Sequence, residues 1–267
     1  MKLPFSLLDW MSLCWFFSIW VGYQYFADWR ARNGHPSLMS VMGGFRREWW
    51  QQVIEREQRV VDVVILTNLS NAATFFASTT LLILGGLLAL LGTSEKVIAV
   101  MAELPFSARS PDSIWEFKIL LLIAIFVYAF FKFTWSLRQH NFSSVLVGAA
   151  PAHDTDPRRF ADYTGRASRI ASMAADSFNY GLRAYYFGLA ALTWFLNSWV
   201  FMAATTWVLV ILYWREFRSE ALRTLERRVA ARPPNMEPAS AEHPERRPPV
   251  PGGSMPNSDR KSSKNSF

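Results

Sequence analysis

The chain is 267 residues long with a net charge of +7; 51% of it is hydrophobic, 15% aromatic and only 18% charged. Soluble domains carry about 25% charged residues, so the composition argues against an ordinary soluble globule. The single cysteine, Cys14, excludes an intrachain disulfide framework and a Cys-rich metal site, and the histidines (His35, His140, His153, His243) are too scattered to form a ligand cluster by spacing.

A mean hydropathy of +0.09 is modest for a membrane protein, but the apolar residues are segregated into runs. Residues 5–26 carry Asp9 as their only charge, and a stretch of this length crosses a hydrocarbon core of about 30 Å. Lys2 alone is a weak basic flank, and no small-x-small cleavage site follows, so an uncleaved span is expected rather than a signal peptide. Residues 69–91 contain no charge, and residues 115–135 begin and end on tryptophans, as interfacial anchors do. Residues 184–214 are also charge-free. As one helix they would be about 46 Å long, well beyond the core. Two spans, 174–196 and 199–214, joined at Asn197-Ser198, are therefore expected; one long fourth helix is the alternative.

Charge decides between these. Arg30, Arg32, Arg46, Arg47, Arg56 and Arg59 lie between the first two runs, and Arg138, Arg158, Arg159, Arg166 and Arg169 between the third and fourth. The segment 93–114 has only Lys96 and Arg109, whereas Arg215, Arg218, Arg223, Arg227, Arg228 and Arg232 follow the last run. Positive charge marks the cytoplasmic side. Five spans in an inner (plasma) membrane, N-terminus outside and C-terminus inside, keep all three basic segments cytoplasmic.

The expected fold is thus an all-α integral membrane helix bundle with long cytoplasmic helical extensions, over residues 1–232. Residues 36–66 read as an amphipathic helix that runs directly into the second span, with Leu38, Met42, Phe45, Trp49 and Val53 at helical spacing. Glu55–Arg59 and Arg59–Asp62 are expected ion pairs, and Trp49-Trp50 is either a membrane-surface contact or a partner face. Residues 141–157 read as a loop, and helix resumes at Arg158. Ser18, Gly22 and Gly85-Gly86 are expected to allow close helix approach. Residues 233–267, rich in Pro, Ser and Asn, read as a disordered cytoplasmic tail.

Polar groups within a membrane need partners and tend to mark function. Three stripes follow helical spacing: Thr67, Asn71, Thr74 and Ser78, with Asn68 beside them, and Ser172, Asp176, Asn179 and Arg183 at i, i+4, i+7, i+11; and Tyr128, Lys132, Ser136 and Gln139 at i, i+4, i+8, i+11. All fall in the cytoplasmic half. Lys132, Arg183, Asp176, Asn179, Asn71 and Ser136 are the candidate ligand-binding residues of a polar cavity, whose two cations would suit a small anion or a lipid headgroup. The plain alternative is hydrogen bonding between packed helices, with the cations snorkelling to phosphates.

No phosphate loop, HExxH, CxxC or GxSxG motif occurs, so neither an enzyme nor a cofactor is expected. Nor is nucleic acid a partner, because the basic residues flank spans; anionic lipid at the cytoplasmic face is expected instead. A protein partner docked on the cytoplasmic helices, or a second copy, is the alternative role.

Several strings, among them LLDWMSLCWFFSIWVGYQYFAD, FFASTTLLILGGLLALLG, FKFTWSLRQHNFSSVLVGAAP and FNYGLRAYYFGLAALTWFLNSWVFMAAT followed by YWREFRS, resemble the family known as domain of unknown function 599. The resemblance covers roughly residues 7–225. It implies a multi-pass membrane protein and carries no activity or catalytic residues with it.

Overall fold

The structure, a computed structural model, describes residues 6–33, 37–92, 112–151 and 156–230. The expected external loop at 93–114 lies largely outside the described residues, and the Pro-rich tail entirely so. The described residues form seven α-helices and no strand: α1 Leu7–Arg32, α2 Leu38–Glu55, α3 Val60–Gly92, α4 Asp112–Gly148, α5 Pro157–Leu192, α6 Ser198–Phe217 and α7 Glu220–Ala230. A 3-10 turn, Thr193–Phe195, joins α5 to α6.

Helix starts follow from local chemistry. Ser6 and Asp9 form a capping box at α1, Ser37 and Ser40 one at α2. Asp156 caps α5, where Pro157 occupies the first turn and has no N–H to leave unpaired. The apolar run 184–214 is broken where the hairpin reading requires, because the Asn197 side chain caps α6 by accepting from the Trp199 N–H at 3.0 Å. Asp9 fastens this corner, accepting from the Ser198 hydroxyl at 2.7 Å and the Trp194 indole at 3.3 Å. Buried Lys118 donates to the Trp194 carbonyl at 2.9 Å.

Two expectations need correction. Residues 36–66 are not one helix: the chain breaks after α2, where Arg56 is extended. The cause is Arg59, whose guanidinium donates to the carbonyls of Val53, Val147, Ala150 and Pro151 at 3.1–3.3 Å. This ties the α2 end to the carbonyl-rich C-terminus of α4, a favourable place for a cation. Asp62, fully buried, therefore pairs with Arg56 (2.8 Å) and the Trp49 indole (2.7 Å) rather than with Arg59. Residues 141–148, read as loop, instead continue α4, because Val147 packs with Trp50, Val53, Leu66, Ala167 and Ala171 in a small second core.

The main core is aromatic. Phe16, Trp20, Phe187 and Phe201 interlock α1, α5 and α6, while Phe76, Phe133, Phe178 and Tyr185 interlock α3, α4 and α5. Close approach occurs at Gly181, where a Cβ would lie 2.6 Å from the Phe133 ring, and at Gly188, 3.1 Å from Phe126. At Gly22, Gly85 and Gly86 a Cβ would meet nothing within 4 Å, so those glycines are not packing notches within the described residues.

Three stretches are long and apolar enough to cross a membrane by length and composition: Val60–Gly92, Ser113–Gly148 and Ser198–Leu225. Only 17% of the first one's most apolar window is buried inside the chain, against 44% of the second. The helix α3 thus turns most of its apolar surface outward, as a lipid-facing helix does, while α4 runs through the core. The remaining long helices, α1 and α5, carry more polar residues along their length.

Candidate functional site

The three polar stripes meet three different surroundings. On α3, Thr67, Asn68, Asn71, Thr74 and Ser78 are all exposed, facing away from the bundle. Thr67 and Thr74 bond only to carbonyls of their own helix, at 2.9 and 3.0 Å. The inward face of α3 is instead Leu66, Ala73, Ala77 and Thr80, small or apolar groups that let α4 approach. Asn71 is therefore not part of any inward-facing cavity.

The α4 stripe joins two helices. Buried Ser136 donates to the Ala174 carbonyl at 2.8 Å, and Gln139 accepts from the Ser177 hydroxyl at 3.0 Å. Lys132 places its ammonium 5.4 Å from the ring centre of Tyr128 and 5.1 Å from that of Tyr180. The quadrupole of each ring favours a cation on its face, so Lys132 is held between two rings and stays out of the polar cavity lined by the α5 stripe.

The α5 stripe does line one. Asp176, Asn179, Tyr180 and Arg183 face Asp28 near the end of α1 and Glu216 near the end of α6, with the first turn of α2 closing one side, around a cavity of about 240 Å³. Each polar group has a distinct setting. Asp28 accepts the Tyr180 hydroxyl with both oxygens, at 3.0 and 2.8 Å. Glu216 accepts the Met39 N–H at 3.3 Å and lies 4.0 Å from Arg183. Arg183 is buried, its guanidinium 5.2 Å from the Tyr23 ring centre and 5.6 Å from that of Tyr180. Asn179 donates to the Ala175 carbonyl and to the Met39 sulfur, both at 2.9 Å. Asp176 is exposed and accepts no hydrogen bond from the described residues.

The charge of this lining differs from the sequence expectation. Three carboxylates, Asp28, Asp176 and Glu216, face one guanidinium, Arg183. Lys132 stands against the Tyr180 ring without lining the site, and Arg46 lies outside the lining, its Nε donating to the Ser172 hydroxyl at 3.3 Å. Of the candidate residues, Asp176, Asn179 and Arg183 converge; Ser136, Lys132 and Asn71 do not join them. Asp28, Tyr180 and Glu216 were missed because Asp28 and Glu216 stand among the arginines that flank apolar runs, where they read as threading charges. Among the described residues, no group of three His, Cys, Asp or Glu side chains could hold a metal ion.

No curated protein and no solved structure matches the chain. Residues 11–221 match a family model described as "Protein of unknown function, DUF599", and this range takes in every residue of the pocket. The chain belongs to the DUF599 family.

Proposed function

We propose that this protein is a non-enzymatic, five-span inner-membrane protein that binds a small ligand bearing an ammonium group. The site is the pocket between α1, α2, α5 and α6, on the cytoplasmic side. The observation that carries the reading is the excess of carboxylate over guanidinium in the lining, where Asp176 accepts no hydrogen bond from the described residues and feels Arg46 only from outside that lining. In a partly desolvated site an opposite charge on the ligand offsets the cost of keeping like charges together. That balance favours a cation over the anion suggested by Lys132 and Arg183 alone. Arg183 then acts on the lining carboxylates, holding Glu216 in place. The basic segments flanking the spans support an N-out, C-in topology and contact with anionic headgroups.

Binding is tested with the full chain in lipid nanodiscs, by calorimetry against a panel of small primary and quaternary amines, phosphate and short carboxylates. Saturable heat with amines, its affinity lowered about tenfold in Asp176→Asn and lowered likewise in Glu216→Gln, supports the reading. Heat with the anions alone, lost in Arg183→Gln, overturns it. A reporter fused after Arg232 reads the topology, and an external signal contradicts it.

A second role has one observation in its favour. The exposed polar stripe of α3 is continued along the same face by Gly85, a surface suited to close packing against a second copy's helix. The Trp49-Trp50 pair does not support a cytoplasmic docking face, since Trp50 is fully buried and Trp49 bonds Asp62.

A further inference from the structure

A second cavity, of about 390 Å³, lies where α2 crosses α3 and α5, in the size range of small-molecule sites. Its walls are apolar: Met42 and Phe45 from α2, Ile65 and Leu69 from α3, Ala175 and Phe178 from α5. Two features separate it from an ordinary packing gap. First, its rim is open on the outward side, because Ile65 and Leu69 are 39% and 45% exposed. These residues belong to α3, one of the stretches able to cross a membrane, and both lie in its charge-free run, which begins at Val63. An apolar cavity open at this level meets lipid chains rather than water.

Second, the lining includes a cation with spare donors. Arg46 uses its Nε on Ser172, and its terminal amino groups meet no acceptor among the described residues. A guanidinium stays protonated even where burial lowers its pKa from the ordinary value, as here, and Asp176 opposes that shift. Its fork geometry matches a carboxylate or phosphate. His140 adds a buried imidazole to the same lining, with Nδ1 unpartnered among the described residues. A hydrocarbon slot with a guanidinium in its wall, open to the bilayer, has the two-part chemistry of an amphiphile.

We propose that this cavity is a binding site for an acyl-chain amphiphile with an anionic oxygen head: the chain fills the slot between α2, α3 and α5, and the carboxylate or phosphate pairs with Arg46. The site rests on the membrane placement of α3 but not on the ligand of the polar pocket, although Asn179 lines both cavities. Occupancy of the slot would therefore be felt at the wall of the polar pocket.

The test uses the full chain in nanodiscs with three photoactivatable probes: a diazirine palmitic acid, a diazirine phosphatidylglycerol and, as a neutral control, a diazirine hexadecanol. Cross-linked peptides are mapped by mass spectrometry. The acid, the phospholipid or both should label residues 42–49 and 65–72 in competition with unlabelled probe, at least fivefold above the alcohol. Labelling by the acid alone identifies a free single-chain ligand; labelling by the phospholipid identifies a membrane lipid. Arg46→Gln should lower labelling by the charged probes about tenfold and leave the alcohol unchanged. Ala175→Phe, which fills the slot, should abolish labelling by all three. Ala72→Trp at the rim serves the same purpose if Ala175→Phe is not monodisperse. Equal labelling by acid and alcohol, or labelling that survives a filled slot, means ordinary boundary lipid and overturns the proposal. The calorimetric response to amines is a separate readout, so either site can fail without the other.

Discussion

The stripes on α3 and α5 have the same spacing and opposite fates. Thr67, Asn71, Thr74 and Ser78 stand on the outside of the bundle, whereas Asp176, Asn179 and Arg183 line a pocket inside it. Spacing puts residues on one face of a helix; it does not say which way that face turns. What turns it is the opposite face. On α3 that face is Leu66, Ala73, Ala77 and Thr80, narrow enough to seat the helix against α4. On α5 the core-facing residues include Ala184, Phe187 and Ala191, and Gly181 admits the Phe133 ring, which rotates the charged stripe toward α1 and α6. A membrane helix tolerates an outward stripe of hydroxyls and amides, and here Thr67 and Thr74 bond carbonyls of their own helix; charged groups need partners.

The largest expected effect breaks the contrast at its packing. Gly181→Ala should destabilise the fold by about 1–3 kcal/mol by overpacking against Phe133. Gly85→Ala should be neutral or stabilising by up to about 1 kcal/mol, as helix propensity alone predicts. Equilibrium unfolding in mixed micelles compares the two. Next in size, Asp176→Asn should weaken amine binding about tenfold, roughly 1.4 kcal/mol, whereas Asn71→Leu should leave it unchanged; calorimetry reads both. Removing the joint between α4 and α5 with Ser136→Ala should cost about 0.6 kcal/mol, the usual worth of an interhelical hydrogen bond in a membrane. The smallest effect is the double change Asn71→Leu and Ser78→Leu. It should move monomer stability by no more than about 0.5 kcal/mol. If α3 meets a second copy, light scattering should instead show a lower mass.

Much of this was legible in the chain. The apolar runs mark the helices, and Asn197-Ser198 marks the break between α5 and α6 because a capping amide beside a tryptophan-rich run has few other uses. The α5 stripe was legible as a stripe. Its surroundings were not, since Asp28 and Glu216 come from helix ends far away in sequence and look like flanking charge. The break between α2 and α3 was hidden for a similar reason. Arg59 has plausible partners nearby in Glu55 and Asp62, yet its donors go to carbonyls at the end of α4, a distant segment. Glycines misled in the same way, because Gly85-Gly86 looks like a notch and touches nothing, while Gly181 looks incidental and is in tight contact. In each case local pattern fixes the element and long-range packing decides the partner.

The contrast between the two stripes is tested most directly by thiol accessibility in a Cys14→Ser background, using inside-out vesicles. Asn179→Cys should react with a trimethylammonium-bearing thiosulfonate several-fold faster than with its sulfonate-bearing counterpart, because the carboxylates of Asp28, Asp176 and Glu216 concentrate cations there. Asn71→Cys and Ser78→Cys, facing hydrocarbon or another helix, should react with neither. Faster reaction of Asn179→Cys with the sulfonate reagent, or ready labelling of the α3 positions, would contradict the account.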